Sequence, residues 1–247
     1  MVRILRKLHR YAYLASVLFF FLLGYPFLKL YAKNPKKNYR KIAKLRRWIS
    51  LAGMYTAGIR IKVHYEKPLD WNRNYIFCPN HTSILDITVL TFLCKQPFSF
   101  MGKVELLANP ITRIFFETID IPVKRDSKIS SFKAYKRALE LLAENKSLVI
   151  FPEGKIDDHF PPMLHPFKSG PFRLATENNI PIVPVVIQNA WNILWDDGNR
   201  FGSRPGIIHV HVLAPIATEP YGKENTALLE LTVYKKMKEN WDIYNKS

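Results

Sequence analysis

The chain has 247 residues, of which 48% are hydrophobic, enough to form one sizeable globular core. Its formal net charge of +17 is typical of a nucleic-acid-binding protein, but residues 1–47 carry thirteen Lys and Arg and no acidic residue, whereas residues 66–247 carry 22 basic and 20 acidic residues. Because the excess is confined to one end and no zinc-ligand spacing or aromatic-rich RNA motif is present, nucleic acid is not expected as a partner.

An apolar stretch from Tyr11 to Leu28 lies between clusters of basic residues. It lacks the cleavage pattern of a signal peptide and is marginal for a membrane span, which needs about 20 apolar residues. Because cytoplasmic segments carry an excess of Lys and Arg, positive charge on both flanks favours a helix with both ends in the cytoplasm over a helix that spans the membrane. Residues 36–52 follow with apolar positions at helical spacing among lysines and arginines, a pattern typical of a helix in the headgroup plane.

We therefore predict that residues 1–58 form a monotopic two-helix membrane anchor on the cytoplasmic face of the cell membrane. A single membrane span is the alternative. The two cysteines, Cys78 and Cys94, are too few for a disulfide framework and fit a reducing cytoplasm.

Residues 59–247 alternate predicted strands with predicted helices. The predicted strands are Ile59–Tyr65, Tyr75–Cys78, Phe98–Met101, Asp120–Val123, Leu148–Phe151, Ile182–Ile187 and Ile207–Leu213. The predicted helices are Ser83–Cys94, Ile129–Asn145 with Phe132, Tyr135, Leu139 and Leu142 on one face, Ser169–Asn178 and Thr226–Asn240, while Ile111–Phe116 is helical or buried. This alternation predicts one α/β domain, with a mostly parallel or mixed sheet covered by helices on both faces.

The segment Asn80-His81-Thr82-Ser83-Ile84-Leu85-Asp86 joins a predicted strand to the next predicted helix. Ser83 is predicted to cap that helix, with Asp86 three positions later as in a capping box. With His81 in the loop and Asp86 in the first helical turn, the carboxylate is able to reach an imidazole nitrogen. A histidine held in this way has one tautomer fixed and is suited to take a proton from an alcohol. The spacing alone leaves open a simpler alternative, an ordinary histidine beside a helix-capping aspartate.

Charged residues and a glycine follow the ends of other predicted strands, where the active sites of α/β sheets gather. A glycine lets backbone N–H groups approach a ligand, arginine suits bidentate phosphate binding, and a helix N-terminus favours anions. The candidate residues are Lys103, Arg125, Glu153, Gly154, Lys155 and Lys168. Cys78 lies close enough to His81 to suggest an acyl-enzyme, although a buried strand residue is the simpler interpretation.

Four segments resemble, in order, the sequence blocks of the PlsC-type lysophospholipid acyltransferases of the glycerolipid acyltransferase superfamily. Residues 80–86 match the block NHxxxxD, Ile121-Pro122-Val123-Lys124-Arg125 resembles the second block, Phe151-Pro152-Glu153-Gly154 matches the start of the third, and residues 180–185 resemble the fourth. The third block usually continues Thr-Arg-Ser, but here it reads Lys155-Ile156-Asp157, so the family's arginine is missing.

The resemblance implies transfer of a fatty acyl group from acyl-ACP or acyl-CoA to the free hydroxyl of lysophosphatidic acid, giving phosphatidic acid without a metal or other cofactor. It implies that His81, oriented by Asp86, is the base, that Arg125, Lys103, Lys155 and Lys168 hold the phosphate, that Glu153 orients the glycerol hydroxyls, and that N–H groups near Gly154 stabilise the oxyanion. The missing arginine leaves open another lysolipid acceptor, such as a lyso-aminolipid.

Three other interpretations are weaker. A hydrolase would need a nucleophilic serine, and no G-x-S-x-G elbow is present. A non-enzymatic membrane-peripheral binding protein would explain the basic N-terminal region but not the four ordered blocks. A metal site formed by Asp157, Asp158, His159 and His165 does not fit a strong ligand spacing.

Overall fold

The computed structural model describes residues 1–124, 126–156 and 158–245. The strands are β1 (Ile59–Tyr65), β2 (Ile76–Pro79), β3 (Phe98–Lys103), β4 (Ile121–Val123), β5 (Ser147–Ile150), β6 (Ile182–Ile187) and β7 (Gly206–Val212). The helices are α1 (Val2–Ala32), α2 (Pro35–Thr56), α3 (Leu85–Leu93), α4 (Pro110–Phe116), α5 (Lys128–Ala143), α6 (Gly170–Asn178), α7 (Ala190–Ile193) and α8 (Thr226–Asn245), with a 3-10 turn at Val104–Leu107.

The strands form one mixed sheet in the order β1-β7-β6-β2-β5-β3-β4. Strands β6 and β7 pair antiparallel, and the other neighbouring pairs are parallel, which confirms the predicted α/β class. Because β2, β3, β4, β5 and β6 run in the same direction, their carboxyl ends meet at one edge of the sheet, which we call the site edge. The loops that carry the candidate site residues leave from this edge.

Helices cover both faces of the sheet. On one face, α3 packs Leu85 and Val89 into a cluster that also contains Phe77 of β2. On the other face, α5, α6 and α8 pack into a second cluster with Ile76 of β2 and Leu148 of β5. Alternate strand residues therefore face opposite layers, and β2 is buried on both sides, as its short apolar run predicts.

Two short elements and one helix face differ from the prediction. Helix α7 and the 3-10 turn are a single turn each, too short to show periodicity in the sequence. Helix α5 buries Ala134, Ala138, Leu141 and Leu142, whereas Phe132, predicted on the apolar face, is 69% exposed. The two alanines pack in the core cluster, and Phe132 lies on the opposite side of the helix.

The N-terminal helices pack against each other and against the rest of the protein. A Cβ atom on Gly53 of α2 would lie 2.7 Å from a methyl group of Val17, so this glycine allows α1 and α2 to approach closely. Residues Tyr39, Ile42 and Ile49 of α2 are buried within the protein. This corrects the predicted headgroup-plane position of α2, because its apolar stripe is covered by protein.

Helix α1 is docked near both of its ends. Near its start, the Arg10 side chain donates to the Asp197 carbonyl at 2.7 Å, and the Ser203 N–H donates to the Arg6 carbonyl at 2.9 Å. Near its other end, Leu28 is fully buried in the same cluster as Phe115 of α4. Helix α1 has 31 residues and, among the described helices, is the one long and apolar enough to cross a membrane.

A buried ion pair joins α2 to the sheet. Arg46 Nη1 lies 2.7 Å from Asp120 Oδ1, and both side chains are almost fully buried. Arg46 also donates to the Phe98 carbonyl at 3.1 Å, while the Phe100 N–H donates to Asp120 at 2.9 Å. Burial raises the pKa of Asp120, and the Arg46 guanidinium opposes this rise. The pair therefore determines where α2 sits relative to β3 and β4.

We predict that Arg46→Leu lowers the free energy of unfolding by about 3 kcal/mol near neutral pH, because it leaves a buried carboxylate without its counter-charge. Without the guanidinium, the pKa of Asp120 rises further, so the deficit shrinks as the pH falls through that pKa. Denaturant unfolding of the detergent-solubilised protein at several pH values measures this effect.

The double variant Arg46→Leu, Asp120→Leu is the control for this prediction. It removes both charges, and we expect it to regain most of the stability lost in the single variant. A single variant with the same deficit at every pH, or a double variant less stable than the single one, would contradict the proposed role of the ion pair.

Candidate active site

The loop after β2 places His81 against Asp86 at the site edge. His81 Nδ1 lies 3.0 Å from Asp86 Oδ2, and the His81 side chain retains 19% exposure while that of Asp86 is fully buried. The same carboxylate oxygen accepts the N–H groups of Thr82 at 2.7 Å and Ser83 at 2.9 Å. A carboxylate accepts hydrogen bonds, so this contact assigns the Nδ1 position as the protonated one and leaves Nε2 with a lone pair.

The helix start differs by one residue from the predicted capping box. Helix α3 begins at Leu85, with Ile84 in the N-cap position and no side-chain bond from that residue. The Ser83 hydroxyl accepts the Leu85 N–H at 3.0 Å, two residues on, in place of the Asp86 N–H that the box requires. The other half of the box is formed, since Asp86 Oδ2 accepts the Ser83 N–H at 2.9 Å and shares that oxygen with His81 and the Thr82 N–H.

Three further contacts restrain the histidine. The Asn80 side chain exchanges two hydrogen bonds with the backbone of Ile187, at 2.7 Å and 3.1 Å. The His81 N–H donates to Glu153 Oε1 at 2.7 Å, and the His81 ring stacks on Phe151 with its centroid at 4.0 Å. Strands β2, β5 and β6 therefore all contribute to the position of one imidazole.

Glu153 joins two loops of the site. Its Oε1 accepts from His81, and its Oε2 accepts the His165 N–H at 2.8 Å. The residue is 4% exposed. The predicted role of this carboxylate was to orient the glycerol hydroxyls of the acceptor, whereas both of its oxygens accept backbone amides and hold the two loops together.

Asp196 also holds the histidine loop in place, and it is not among the predicted site residues. Its N–H donates to the Thr82 carbonyl at 3.0 Å, and its carbonyl accepts the Ile84 N–H at 2.9 Å. Its φ of +51° lies in the left-handed region, which is uncommon outside glycine. Partial burial and the nearby Asp197 carboxylate raise the pKa of Asp196, while the His81 imidazole opposes the rise. No local pattern marked this residue, because it lies about 110 positions from the loop it holds.

The other predicted residues occupy the same edge with different surroundings. Lys103 at the end of β3 and Lys168 in the loop before α6 are exposed, and Lys155 lies 3.7 Å from Asp158 in an exposed ion pair. Gly154 has φ +78°, and its N–H donates to the Phe151 carbonyl at 3.1 Å. That amide is engaged in a turn, so an oxyanion donor near Gly154 would be another backbone N–H group of the same loop. Arg125 lies outside the described residues.

Cys78 packs away from solvent. It is fully buried in the cluster beneath α5, α6 and α8, and burial raises the pKa of its thiol. Since the thiolate is the reactive form of cysteine, this environment does not favour the acyl-enzyme alternative.

The described residues contain no group of three or more His, Cys, Asp or Glu side chains placed to hold a metal ion. Of the four residues considered in the sequence analysis, Asp157 lies outside those residues.

Comparison with known proteins identifies the family. The family model described as Acyltransferase matches residues 60–188 of this chain. A chloroplastic 1-acyl-sn-glycerol-3-phosphate acyltransferase of Brassica napus is 29% identical over 172 residues, which is 69% of this chain and 48% of the plant protein. A 1-acyl-sn-glycerol-3-phosphate acyltransferase of Saccharomyces cerevisiae is 30% identical over 187 residues, which is 73% of this chain and 61% of the yeast protein. The chain thus spans about half the length of the plant relative.

A solved structure shares the whole fold. The crystal structure of the 1-acyl-sn-glycerophosphate acyltransferase PlsC from Thermotoga maritima superposes with a TM-score of 0.80 and covers 98% of this chain and 97% of that one. The two sequences are 18% identical, so this similarity shows the fold alone.

Paired substitutions at Asp196 test the backbone clamp. Asp196→Gly removes the Cβ atom and keeps the left-handed backbone without strain, whereas Asp196→Ala retains a Cβ atom there at a cost of about 1 kcal/mol relative to glycine. We therefore predict that the glycine variant is the more stable of the two in denaturant unfolding. Equal stability of the two variants would show that the backbone conformation at this residue contributes little.

Proposed function

Because this chain belongs to the acyltransferase family, we propose that it transfers a fatty acyl group from an acyl thioester to the free hydroxyl of lysophosphatidic acid, producing phosphatidic acid. The names of the plant and yeast relatives support this acceptor. The donor in this proposal is an acyl thioester carried by CoA or by an acyl carrier protein, and the reaction uses no metal.

The 3.0 Å contact between His81 Nδ1 and Asp86 Oδ2 carries the proposal. Because Nδ1 carries the proton that Asp86 accepts, Nε2 keeps its lone pair and is the basic nitrogen of the imidazole. As the acceptor oxygen attacks the thioester carbonyl, Nε2 takes the hydroxyl proton. The new C–O bond forms, the C–S bond breaks, and the imidazolium returns the proton to the leaving thiolate. Asp86 stabilises the transient imidazolium and keeps its tautomer.

The basic residues of the site edge supply the charge for the acceptor phosphate. Lys103, Lys155 and Lys168 are exposed at loops that leave from this edge. We propose that they and Arg125 bind the phosphate. Glu153 acts in this proposal as a positioning residue for His81, since its oxygens are bonded to backbone amides.

Helix α1 supports a membrane-bound enzyme. Its outward stripe of apolar side chains is exposed to solvent although α1 packs against the protein on its other side. This stripe consists of Leu8, Tyr11, Leu18, Phe19, Leu22, Leu23, Phe27 and Leu30. Both ends of α1 dock on the same globular body, along a length of about 46 Å. A helix that crosses a bilayer cannot keep both ends on one body, so we propose that α1 lies in the cytoplasmic leaflet.

One observation favours a second acceptor class. The third block lacks the family's arginine, and Lys155 is paired with Asp158. The Asp196 carboxylate, which interacts electrostatically with His81, adds an acidic side chain near the base. A lysolipid with an amine in its head group would find counter-charges there, so lyso-aminolipids are the second candidate acceptor.

We predict that purified His81→Ala loses at least 100-fold in kcat, since it removes the general base. Asp86→Asn keeps an oxygen that accepts the loop amides but not the charge, and we expect a loss of about 1000-fold with the fold retained. Cys78→Ala is the matched control and should keep its kcat, because the thiol is buried. Transfer of a labelled acyl group to lysophosphatidic acid measures all three rates.

The same assay with a panel of lysolipids decides the acceptor. Preference for lysophosphatidic acid supports the first proposal, and preference for a lyso-aminolipid supports the second. Normal turnover in His81→Ala would contradict the assignment of the base. Transfer to no lysolipid at all would contradict the proposed function.

The orientation of α1 is testable with introduced cysteines, because both native cysteines are buried and give little background. We predict that Ile4→Cys and Lys33→Cys both react with a membrane-impermeant maleimide only after cells are permeabilised. Each position lies near one end of α1. Labelling of one of them in intact cells would instead indicate a membrane span.

A further inference from the structure

The first half of α5 presents an exposed face that the proposed reaction does not use. Ile129, Phe132, Lys133 and Lys136 recur at spacings of three and four residues and therefore share one side of the helix. Ile129 is 71% exposed and Phe132 is 69% exposed. Two large apolar side chains next to each other on a helix surface favour an interaction site. We call this face, together with Lys128, the α5 patch.

The α5 patch carries positive charge without compensation. Lys128, Lys133 and Lys136 are exposed, and none of them forms an ion pair within the part of the chain that the structure describes. The first turn of α5 contains no acidic residue. Cations near a helix N-terminus interact unfavourably with the helix dipole. The positions of these lysines therefore do not stabilise α5. Their unpaired charge instead favours binding of an acidic partner.

The α5 patch lies close to the site edge. Helix α5 follows β4, whose carboxyl end is at that edge, and Ser127 caps the helix by accepting the Ser130 N–H. Lys103 at the end of β3 and Lys124 after β4 extend the positive surface toward β2. Three strand spacings, about 14 Å, separate β4 from β2 and the His81 loop.

The α5 patch and the apolar stripe of α1 differ in their balance of charge and apolar area. The α1 stripe consists of eight large apolar side chains, whereas the α5 patch has two such side chains beside three exposed lysines. Buried residues of α1 and α2, among them Leu28 and Ile42, share one cluster with Ala138 of α5, so the two surfaces belong to one packed body. The α5 patch is small and mainly basic, which favours an acidic protein surface as its partner.

We propose that the α5 patch docks an acidic acyl carrier protein that delivers the acyl thioester to His81. This inference rests on the proposed function and specifies its donor. The lysines complement an acidic protein surface, and Ile129 with Phe132 provides a small apolar anchor. The flexible prosthetic arm of such a carrier then covers the distance from α5 to β2. A small thioester such as acyl-CoA would need no apolar anchor this far from the base.

The test compares two donors with the same acyl chain, acyl-ACP and acyl-CoA, on the full-length protein in lipid nanodiscs. For the double variant Lys133→Glu, Lys136→Glu, we expect kcat/KM for acyl-ACP to fall at least tenfold, while that for acyl-CoA changes less than about twofold. Phe132→Ala should weaken acyl-ACP use in the same selective way. In the wild type, kcat/KM for acyl-ACP should decrease steeply with salt, and the double variant should lose this dependence.

The double variant Lys235→Glu, Lys236→Glu is the matched control, since these lysines are exposed on α8. It changes the net charge equally and should leave both donors unaffected. Fluorescence anisotropy with labelled ACP measures docking without turnover, so a failure of the proposed transfer reaction is distinguished from a failure of docking.

Four outcomes would overturn the docking proposal. These are equal losses with both donors, an equal loss in the α8 control, use of acyl-CoA alone, and ACP binding that the α5 variants leave intact. Loss of binding to anionic phosphatidylglycerol vesicles without any change in ACP binding would assign the patch to the membrane instead.

Discussion

A single buried oxygen, Asp86 Oδ2, determines the shape of the site. It accepts from the His81 ring and from the backbone amides of Thr82 and Ser83, so the loop, the tautomer and the start of α3 depend on the same atom. Such a carboxylate cannot relax into solvent if one partner is removed, because Asp86 is fully buried. The short spacing between His81 and Asp86 suits this geometry, since two of the residues between them, Thr82 and Ser83, donate their backbone amides to the same oxygen.

The sequence predicts this part of the site well because the contacts are local. Five positions separate His81 from Asp86, and the strand before them and the helix after them are visible as apolar runs. The contributions of Glu153 and Asp196 were beyond prediction from the sequence. Glu153 lies about 70 residues and Asp196 about 110 residues from the histidine loop to which they are hydrogen-bonded. The local sequence around each of them, a turn beside a glycine and a Trp-Asp-Asp segment, does not indicate which distant residue it contacts. The role of Glu153 therefore changed from contacting substrate to positioning the base.

The same contrast holds for the fold. Strands and long helices were predictable because their hydrophobic patterns repeat within a few residues. The orientation of α5 was not, because two alanines face the sheet and the larger Phe132 lies outside. Helix α2 differs for a related reason. Its basic composition is typical of a headgroup-plane helix, but Arg46 pairs with the buried Asp120, a residue distant in the sequence. This ion pair helps to pack the helix against the protein.

The contacts at the site edge bring both proposed substrates to one imidazole. In the proposed reaction, a lysolipid comes from the bilayer that receives the α1 stripe, and the acyl donor comes from solvent at the α5 patch. Both have to reach the His81 side chain, which retains 19% exposure while Asp86 behind it is fully buried. The lipid acceptor can therefore stay in the membrane while the donor exchanges from solution, because the one residue that has to act on both substrates is held at the edge of the sheet.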